Sequence, residues 1–222
     1  MIRRIAITVV AFAGLALAEE KQPKPEDDAN YVPLIAREAA GEGNDAFDKG
    51  DYKSARSSYQ KVLDLAPGNL VALVNLGLIE FRSGNDAAAE KVLKQAITKR
   101  IETAPAWLTL GMLYVQQNHN EEAFAALSQA VLYDRGNPRA HNYLGIVLGR
   151  KGWLDGAEAE LRRAVEIDPS YRDAHYNLAV VYLQRKPPSV ELARRHYYKS
   201  IELGGQQDKE IEKKLFAAPP AP

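Results

Sequence analysis

The chain has 222 residues, with 29 basic and 29 acidic side chains and no cysteine. This balance argues against a sequence-independent grip on nucleic acid, which needs an excess of basic residues. The absence of cysteine excludes disulfide bonds, so packed apolar surface must hold the fold.

The first 18 residues have the composition of a secretory signal peptide. Arg3 and Arg4 give a positive start, residues 5–15 are almost wholly apolar, and Ala16-Leu17-Ala18 supplies small residues for cleavage. The apolar stretch is shorter than the ~20 residues of a membrane-spanning helix. We therefore expect cleavage after Ala18 and a mature chain without a membrane span. It would be periplasmic or secreted, with the periplasm favoured, and the alternative is an uncleaved anchor.

Residues 19–35 are predicted to form a flexible acidic and proline-containing linker. Pro23, Pro25 and Pro33 stand there among lysine, aspartate and glutamate. Such a segment has too little apolar surface to order itself.

A 34-residue period then runs through most of the chain. It relates small and apolar residues in three series, namely Gly43, Gly77, Gly111, Gly145 and Ala179; Ala55, Ala89, Ala123 and Ala157; and Leu76, Leu110, Leu144 and Leu178. A fixed period in this range indicates stacked supersecondary units that bury their apolar faces against one another.

Residues 104–137 illustrate one unit. Trp107, Leu110, Gly111 and Tyr114 form one helical stripe, and a second stripe consists of Ala123, Leu127 and Ala130. A polar segment, residues 117–120, separates the two stripes and is predicted to be a turn. We expect Gly111 and Ala123 to lie where the paired helices approach most closely.

These residues resemble the tetratricopeptide repeat family, in which an aromatic residue, Leu-Gly, Tyr and then Ala, Leu and Ala recur. The resemblance implies an all-α fold, a right-handed superhelical solenoid of about five helix-turn-helix units with a C-terminal capping helix. The units are predicted at residues 36–69, 70–103, 104–137, 138–171 and 172–205. A capping helix over 206–216, with Asp208 as its N-cap, and a disordered tail over 217–222 would follow.

In this family the first helices of successive units line a concave wall. One row of that wall would be apolar, namely Leu78, Met112, Ile146 and Val180. These side chains either pack inside the solenoid or form a partly exposed binding surface. Asn75 and Asn177 are candidates to grip the backbone of an extended peptide. The predicted peptide-binding set on the concave face is Asn75, Leu78, Thr109, Met112, Tyr143, Ile146, Tyr176, Asn177 and Val180.

The co-chaperones of this family bind acidic C-termini through a clamp of Lys, Arg and Asn. Asn44 and Asn75 occupy the two Asn positions, but the basic positions hold Ala40, Pro105 and Thr109. Without cations the clamp loses its charge-assisted hydrogen bonds, so this ligand class is excluded.

No catalytic, cofactor-binding or metal-binding set is predicted. Residues 41–46 fit G-x-G-x-x-A, but they lie inside a helical repeat rather than after a strand. His141 and His175 occupy equivalent positions of neighbouring units, which should lie on the order of 10 Å apart, too far to share a metal. His196 is predicted on an outer helix, without ligands near it in sequence.

The leading hypothesis is a non-enzymatic scaffold or adaptor of the cell envelope that holds a protein or an extended peptide on the concave face. An alternative is a structural or assembly subunit, which would self-associate or serve as an accessory to an envelope enzyme complex. A homo-oligomer is compatible with either hypothesis, and the sequence names no partner.

Overall fold

The computed structural model describes residues 32–217. The predicted signal peptide at 1–18, the linker up to residue 31 and residues 218–222 lie outside that range. Within it the chain forms eleven helices and no strand, which confirms the predicted all-α class. The helices are α1 Leu34–Asp48, α2 Tyr52–Leu65, α3 Leu70–Arg82, α4 Asp86–Lys99, α5 Ala104–Gln116, α6 Asn120–Tyr133, α7 Pro138–Arg150, α8 Leu154–Ile167, α9 Arg172–Gln184, α10 Val190–Glu202 and α11 Lys209–Ala217.

Each odd-numbered helix from α1 to α9 packs against the helix that follows it, and each pair packs against the next pair. Side-chain caps fix several helix starts. The Asp51 carboxylate accepts from the Ser54 backbone N–H at 3.1 Å, and the Asn69 amide oxygen accepts from the Ala72 N–H at 2.9 Å. These acceptors satisfy backbone donors that a helix leaves unpaired in its first turn.

The turns within the first four pairs share one backbone geometry. Gly50, Gly84 and Gly152 have φ values of 74°, 75° and 76°, and Asn118 occupies the equivalent position with φ 59°. A positive φ suits glycine and is tolerated by asparagine better than by most residues. The 34-residue period therefore extends to the turns.

Close packing within each pair explains the recurring glycines. A Cβ on Gly111 would lie 2.4 Å from the Leu127 Cγ, and one on Gly145 would lie 2.5 Å from the Leu161 Cγ. Gly43 and Gly77 meet Tyr59 and Leu93 in the same way. The closest side chain to Gly111 is thus Leu127, sixteen residues later.

The last pair and α11 close the apolar core. Ala193 and Tyr197 are fully buried after the longer turn that follows α9. Asp208 caps α11 as predicted, because its Oδ1 accepts from the backbone N–H groups of Glu210 at 2.9 Å and Ile211 at 3.2 Å. Ile211 and Leu215 bury one face of α11 against the core.

Two helix bounds differ slightly from the sequence analysis. Helix α1 begins at Leu34, two residues before the predicted start of the array, and Ala217 ends α11 rather than opening the tail. In the part of the chain from residue 32 to 217, no helix combines the length and the hydropathy needed to cross a bilayer.

Candidate functional site

The first helices of neighbouring units form one continuous wall. Helix α3 contacts α5, α5 contacts α7, and α7 contacts α9, whereas the second helices of neighbouring units make far fewer contacts with each other. The side on which the helices lie closer together is the concave side of a solenoid. We call the surface of α3, α5, α7 and α9 that faces away from their paired second helices the inner wall.

The four residues of the apolar row differ in exposure. Leu78, Ile146 and Val180 are half-buried, whereas Met112 is only 5% exposed. A guanidinium nitrogen of Arg139 lies 3.8 Å from the Met112 sulfur. The row therefore offers apolar surface at three positions, whereas the fourth residue, Met112, packs inside the array.

The polar residues of the predicted set are largely engaged within the protein. The Asn75 side-chain amide donates to the Tyr59 hydroxyl at 2.7 Å, and Tyr59 in turn donates to the side-chain oxygen of Asn44. Thr109 is 5% exposed and donates to the Pro105 carbonyl at 2.9 Å. Thr109 is therefore a structural residue of α5, and Asn44 and Asn75 are joined through Tyr59.

Asn177 has a similar role on α9, at the other end of the inner wall. Its amide donates to the Asn142 side-chain oxygen at 2.9 Å, and Asn142 is almost fully buried. This bond uses one donor of Asn177. An amide carries two donors and one carbonyl acceptor, so Asn177, like Asn75, has capacity left for a ligand.

Tyr176 connects the inner wall to the C-terminal loop. Its hydroxyl donates to Asp208 Oδ2 at 2.6 Å. Burial and this negative neighbour raise the pKa of Tyr176 to about 12. The ring remains half-buried at the wall, but its hydroxyl already has a partner.

Tyr171 was missed by the sequence analysis. It immediately precedes α9 and is half-buried beside Tyr143 and Asn142. Burial above all, with a contribution from Tyr143, raises the pKa of Tyr171 to about 12. An aromatic residue directly before a first helix was the available signal, and it was not used.

A hollow of about 380 Å³ opens beside Asn75, between the N-terminal ends of α3 and α5. Val71, Val74 and Pro105 supply its apolar lining, and Val71 is 40% exposed. An apolar side chain of a ligand could be buried here, next to the amide of Asn75, which can still form a hydrogen bond to the ligand.

Two buried histidines at equivalent positions have opposite electrostatic environments. His141 Nε2 lies 3.1 Å from the Arg135 carbonyl oxygen and its Nδ1 lies 2.6 Å from Glu160 Oε2. The carbonyl oxygen and an ionised carboxylate both accept, so this arrangement favours the protonated ring, in which both nitrogens donate. Burial opposes that charge and is the largest single effect, but the hydrogen bonds to Glu160 and to the Arg135 carbonyl and the negative charge of Glu160 together outweigh it and raise the pKa of His141.

His175 instead faces His196. Its Nε2 lies 3.1 Å from the Pro169 carbonyl oxygen and its Nδ1 lies 2.9 Å from His196 Nδ1. The carbonyl needs a donor at Nε2, so a neutral His175 accepts at Nδ1 from His196. The two residues are 21 positions apart, which hid the contact from the sequence analysis. Among residues 32–217 no three His, Cys, Asp or Glu side chains are grouped so as to hold a metal ion.

Comparison with known proteins identifies the repeat. A family model described as tetratricopeptide repeat matches residues 41–105, 108–172 and 154–208. Over 172 residues, 71% of its length, the chain is 28% identical to a Hordeum vulgare protein named "Probable UDP-N-acetylglucosamine--peptide N-acetylglucosaminyltransferase SPINDLY". Over 71 residues, 31% of its length, it is 39% identical to the type IV pilus assembly protein PilF of Pseudomonas aeruginosa. The matches cover 18% and 27% of these two relatives, so the chain spans less than a third of either.

Solved structures share the fold. The Pseudomonas aeruginosa PilF structure superposes with a TM-score of 0.72 at 18% identity, over 86% of this chain and 83% of that one. A MamA structure superposes with a TM-score of 0.62 at 25% identity, over 73% of this chain and 94% of that one. The PilF likeness, at its low identity, concerns the fold alone.

Proposed function

Because the chain belongs to the tetratricopeptide repeat family, we propose that it is a non-enzymatic scaffold that holds an extended segment of a partner protein on its inner wall. The observation that carries this proposal is the half-buried apolar row of Leu78, Ile146 and Val180, flanked by the amides of Asn75 and Asn177. Apolar surface flanked by hydrogen-bonding groups is what an extended peptide needs, since its side chains and its backbone must both be satisfied.

The architecture and one relative support the scaffold role. A solenoid presents a long surface rather than an enclosed pocket, and such surfaces serve as binding platforms. PilF is named for a role in pilus assembly, which is in keeping with a scaffold. The transferase relative matches over only 18% of its own length, so this match carries no argument for catalysis in the present chain.

We place this scaffold in the cell envelope, in the periplasm or beyond it. The support is the order of charged, apolar and small residues within positions 1–18. Mass spectrometry of the native protein should find Glu19 as its first residue. An intact Met1 terminus on protein from the cytosol would contradict export.

Site-specific photo-crosslinking tests the binding surface. A photoreactive phenylalanine analogue at Ile146 or Val180 should crosslink to one and the same partner in living cells. Ala125 and Ala159 are exposed on the second helices α6 and α8 and serve as matched controls that should not crosslink to it. Crosslinks that arise only from the outer positions would contradict an inner-wall site.

A second candidate is an assembly subunit that associates with copies of itself, alone or beside an envelope enzyme complex. The specific observation in its favour is apolar exposure at the first described helix, where Leu34 is 76% exposed and Ile35 is 72% exposed. Light scattering coupled to size-exclusion chromatography should then show an oligomer that the double substitution of Leu34 and Ile35 by serine dissociates. A monomer at all concentrations would remove this candidate.

A further inference from the structure

The three central helices of the inner wall, α3, α5 and α7, carry few charged side chains. Helix α5 has no charged residue, and α3 and α7 together carry only Glu80 and three arginines besides the buried His141. The second helices α6 and α8 are different, because α6 carries Glu121 and Glu122 without a basic residue and α8 carries more acidic than basic side chains, whereas α2, α4 and α10 carry more basic than acidic ones. The central part of the wall, α3, α5 and α7, therefore carries more basic than acidic side chains in a chain of zero net charge.

Glu80, the one carboxylate on α3, α5 and α7, is not available to a ligand, and Asp173 on α9 is paired with Arg172 at 2.8 Å. Glu80 is 7% exposed and binds Arg56 at 2.5 Å and Asn85 at 2.8 Å, between the helices. The side chain of His141 is likewise buried against Glu160. The charge that the central wall presents to a partner is thus that of its arginines, Arg82, Arg139 and Arg150.

These three arginines lack a carboxylate partner within residues 32–217, whereas several other arginines have one. Arg185, for example, lies 2.8 Å from Asp155 and 2.5 Å from Glu158. Arg139 contacts the Met112 sulfur, and Arg150 donates to the Val115 carbonyl at 2.9 Å and the Asn118 side-chain oxygen at 3.3 Å. Each guanidinium has five donors, so most of their donors remain for a ligand.

We propose that the segment held on the inner wall is acidic, with aspartate or glutamate side chains that meet Arg82, Arg139 and Arg150 and apolar side chains that lie over Leu78, Ile146 and Val180. This inference deepens the proposed function and rests on it. Guanidinium and carboxylate groups form paired, charge-assisted hydrogen bonds, and complementary charge also speeds encounter and fixes the register. These arginines do not occupy the basic positions of the co-chaperone clamp. This chain lacks that clamp.

The dimensions of the wall set the spacing of the ligand. Packed helices lie about 8–10 Å apart, and an extended chain advances about 3.3 Å per residue. One repeat therefore corresponds to about three ligand residues. A segment with one apolar residue in every three matches the wall, with acidic residues where it crosses α3 and α7, because α5 carries no charged residue. A phosphate chain fits less well, because three arginines are few for its charge density and the apolar row would stay uncovered.

Fluorescence anisotropy with synthetic peptides tests the charge of the ligand. The purified protein should bind a labelled peptide of four Leu-Asp-Gln triplets at least about tenfold more tightly at low salt than a peptide of four Leu-Asn-Gln triplets. The advantage should shrink as salt is added, because exposed charges are screened. Equal binding of the two peptides would overturn the inference, as would tighter binding of a thymidine oligonucleotide, which would favour nucleic acid.

Variants locate the charge on the wall. Arg139→Gln and Arg150→Gln should each weaken binding of the acidic peptide about threefold or more and leave the neutral peptide unaffected. Arg163→Gln is the matched control, because Arg163 is on α8 with its side chain 53% exposed and pairs with Glu166. Circular dichroism should show the same helicity in all variants. Equal losses in the control, or none in the wall variants, would overturn the assignment.

The same measurements separate this inference from the proposed function. If both peptides bind equally and Ile146→Ser weakens both, the inner wall binds peptides without regard to charge and only the present inference fails. If neither peptide binds, the acidic ligand class is overturned, and crosslinks from Ile146 and Val180 decide whether the scaffold function stands. Without those crosslinks both fail.

Discussion

The side chains of His175 and His196 meet between α9 and α10, with their Nδ1 atoms 2.9 Å apart and their rings stacked. Tyr182 also stacks on His196, with ring centroids 5.7 Å apart. Arg195 and Arg162 are the nearby cations and Glu158 is the nearby anion. Burial, with His175 and these cations, lowers the pKa of His196 to about 4.

This pair predicts acid sensitivity. An unfolded chain protonates His196 near its ordinary pKa of 6.5, whereas the folded chain resists protonation until about 4, so stability is lost as the pH falls through this window. The melting temperature should drop by roughly 4 °C or more between pH 6.5 and 5. His196→Phe keeps a stacked ring but cannot titrate, and its drop should be clearly smaller. Parallel curves for the two proteins would contradict the role of His196.

His141 predicts the opposite pH dependence. Its pKa is raised above 6.5 in the folded state, so its contribution is fully present below 6.5 and is lost as the pH rises through the folded pKa. Glu160→Gln removes the anion that holds the proton. The melting temperature of the variant should lie further below that of the unmodified protein at about pH 6 than at about pH 9. Glu166→Gln, at an exposed pair with Arg163, is the control and should show no such difference.

Gly111 and Gly149 form a matched pair for testing the helix contacts. A Cβ at Gly111 would lie 2.4 Å from the fully buried Leu127, whereas one at Gly149 would meet Val181 at an ordinary 3.7 Å. Gly111→Ala should lower the free energy of unfolding by about 1 kcal/mol or more, because the core is overpacked. Gly149→Ala should raise it by roughly 0.5–1 kcal/mol, because alanine favours helix. Chemical denaturation measures the free energy of unfolding of both variants. Changes of the same sign would contradict the close helix contact at Gly111.

The sequence could predict the helix pairs because their determinants are local and repeated. Each glycine meets a large side chain at a constant distance along the chain, so the period alone indicates the fold. The exposure of Met112 could not be predicted in this way, because it depends on the side chain of Arg139 from the next unit. The same holds for Tyr176, whose hydroxyl is taken by Asp208 beyond the repeats.

Met112 and Ile146 occupy the same position of adjacent units but should respond differently to truncation. Met112→Ala leaves a cavity in the core, and the free energy of unfolding should fall by about 2 kcal/mol or more. Ile146→Ala shortens a half-buried side chain, so the free energy of unfolding should fall by about half as much or less, while ligand capture is weakened. Denaturant melts of both variants check this. A larger loss for Ile146 would mean that it, rather than Met112, supports the core.

The Arg56–Glu80 pair should matter more than a surface pair. Glu80 is buried, and although burial opposes its charge, hydrogen bonds from Arg56 and Asn85 lower its pKa. Arg56→Ala leaves this carboxylate without its cation and should cost roughly 2 kcal/mol, less than for a fully buried pair because Arg56 is partly exposed. Lys94→Ala breaks an exposed pair with Glu90 on one helix and should cost no more than about 0.5 kcal/mol. If thermal unfolding shows similar losses of stability for the two variants, the burial of Glu80 does not strengthen its pair with Arg56.

The glycine contacts also bear on how such a chain can change in evolution. In each of the first four units, the glycine and the large side chain that fills the space above it belong to the same unit. A gene segment that encodes one unit therefore carries both halves of the contact. Duplication or deletion of that segment would preserve the fit inside every unit and change only the number of units. If the inner wall holds an extended partner as proposed, the number of units sets the length of partner that is held, in steps of about 10 Å per unit.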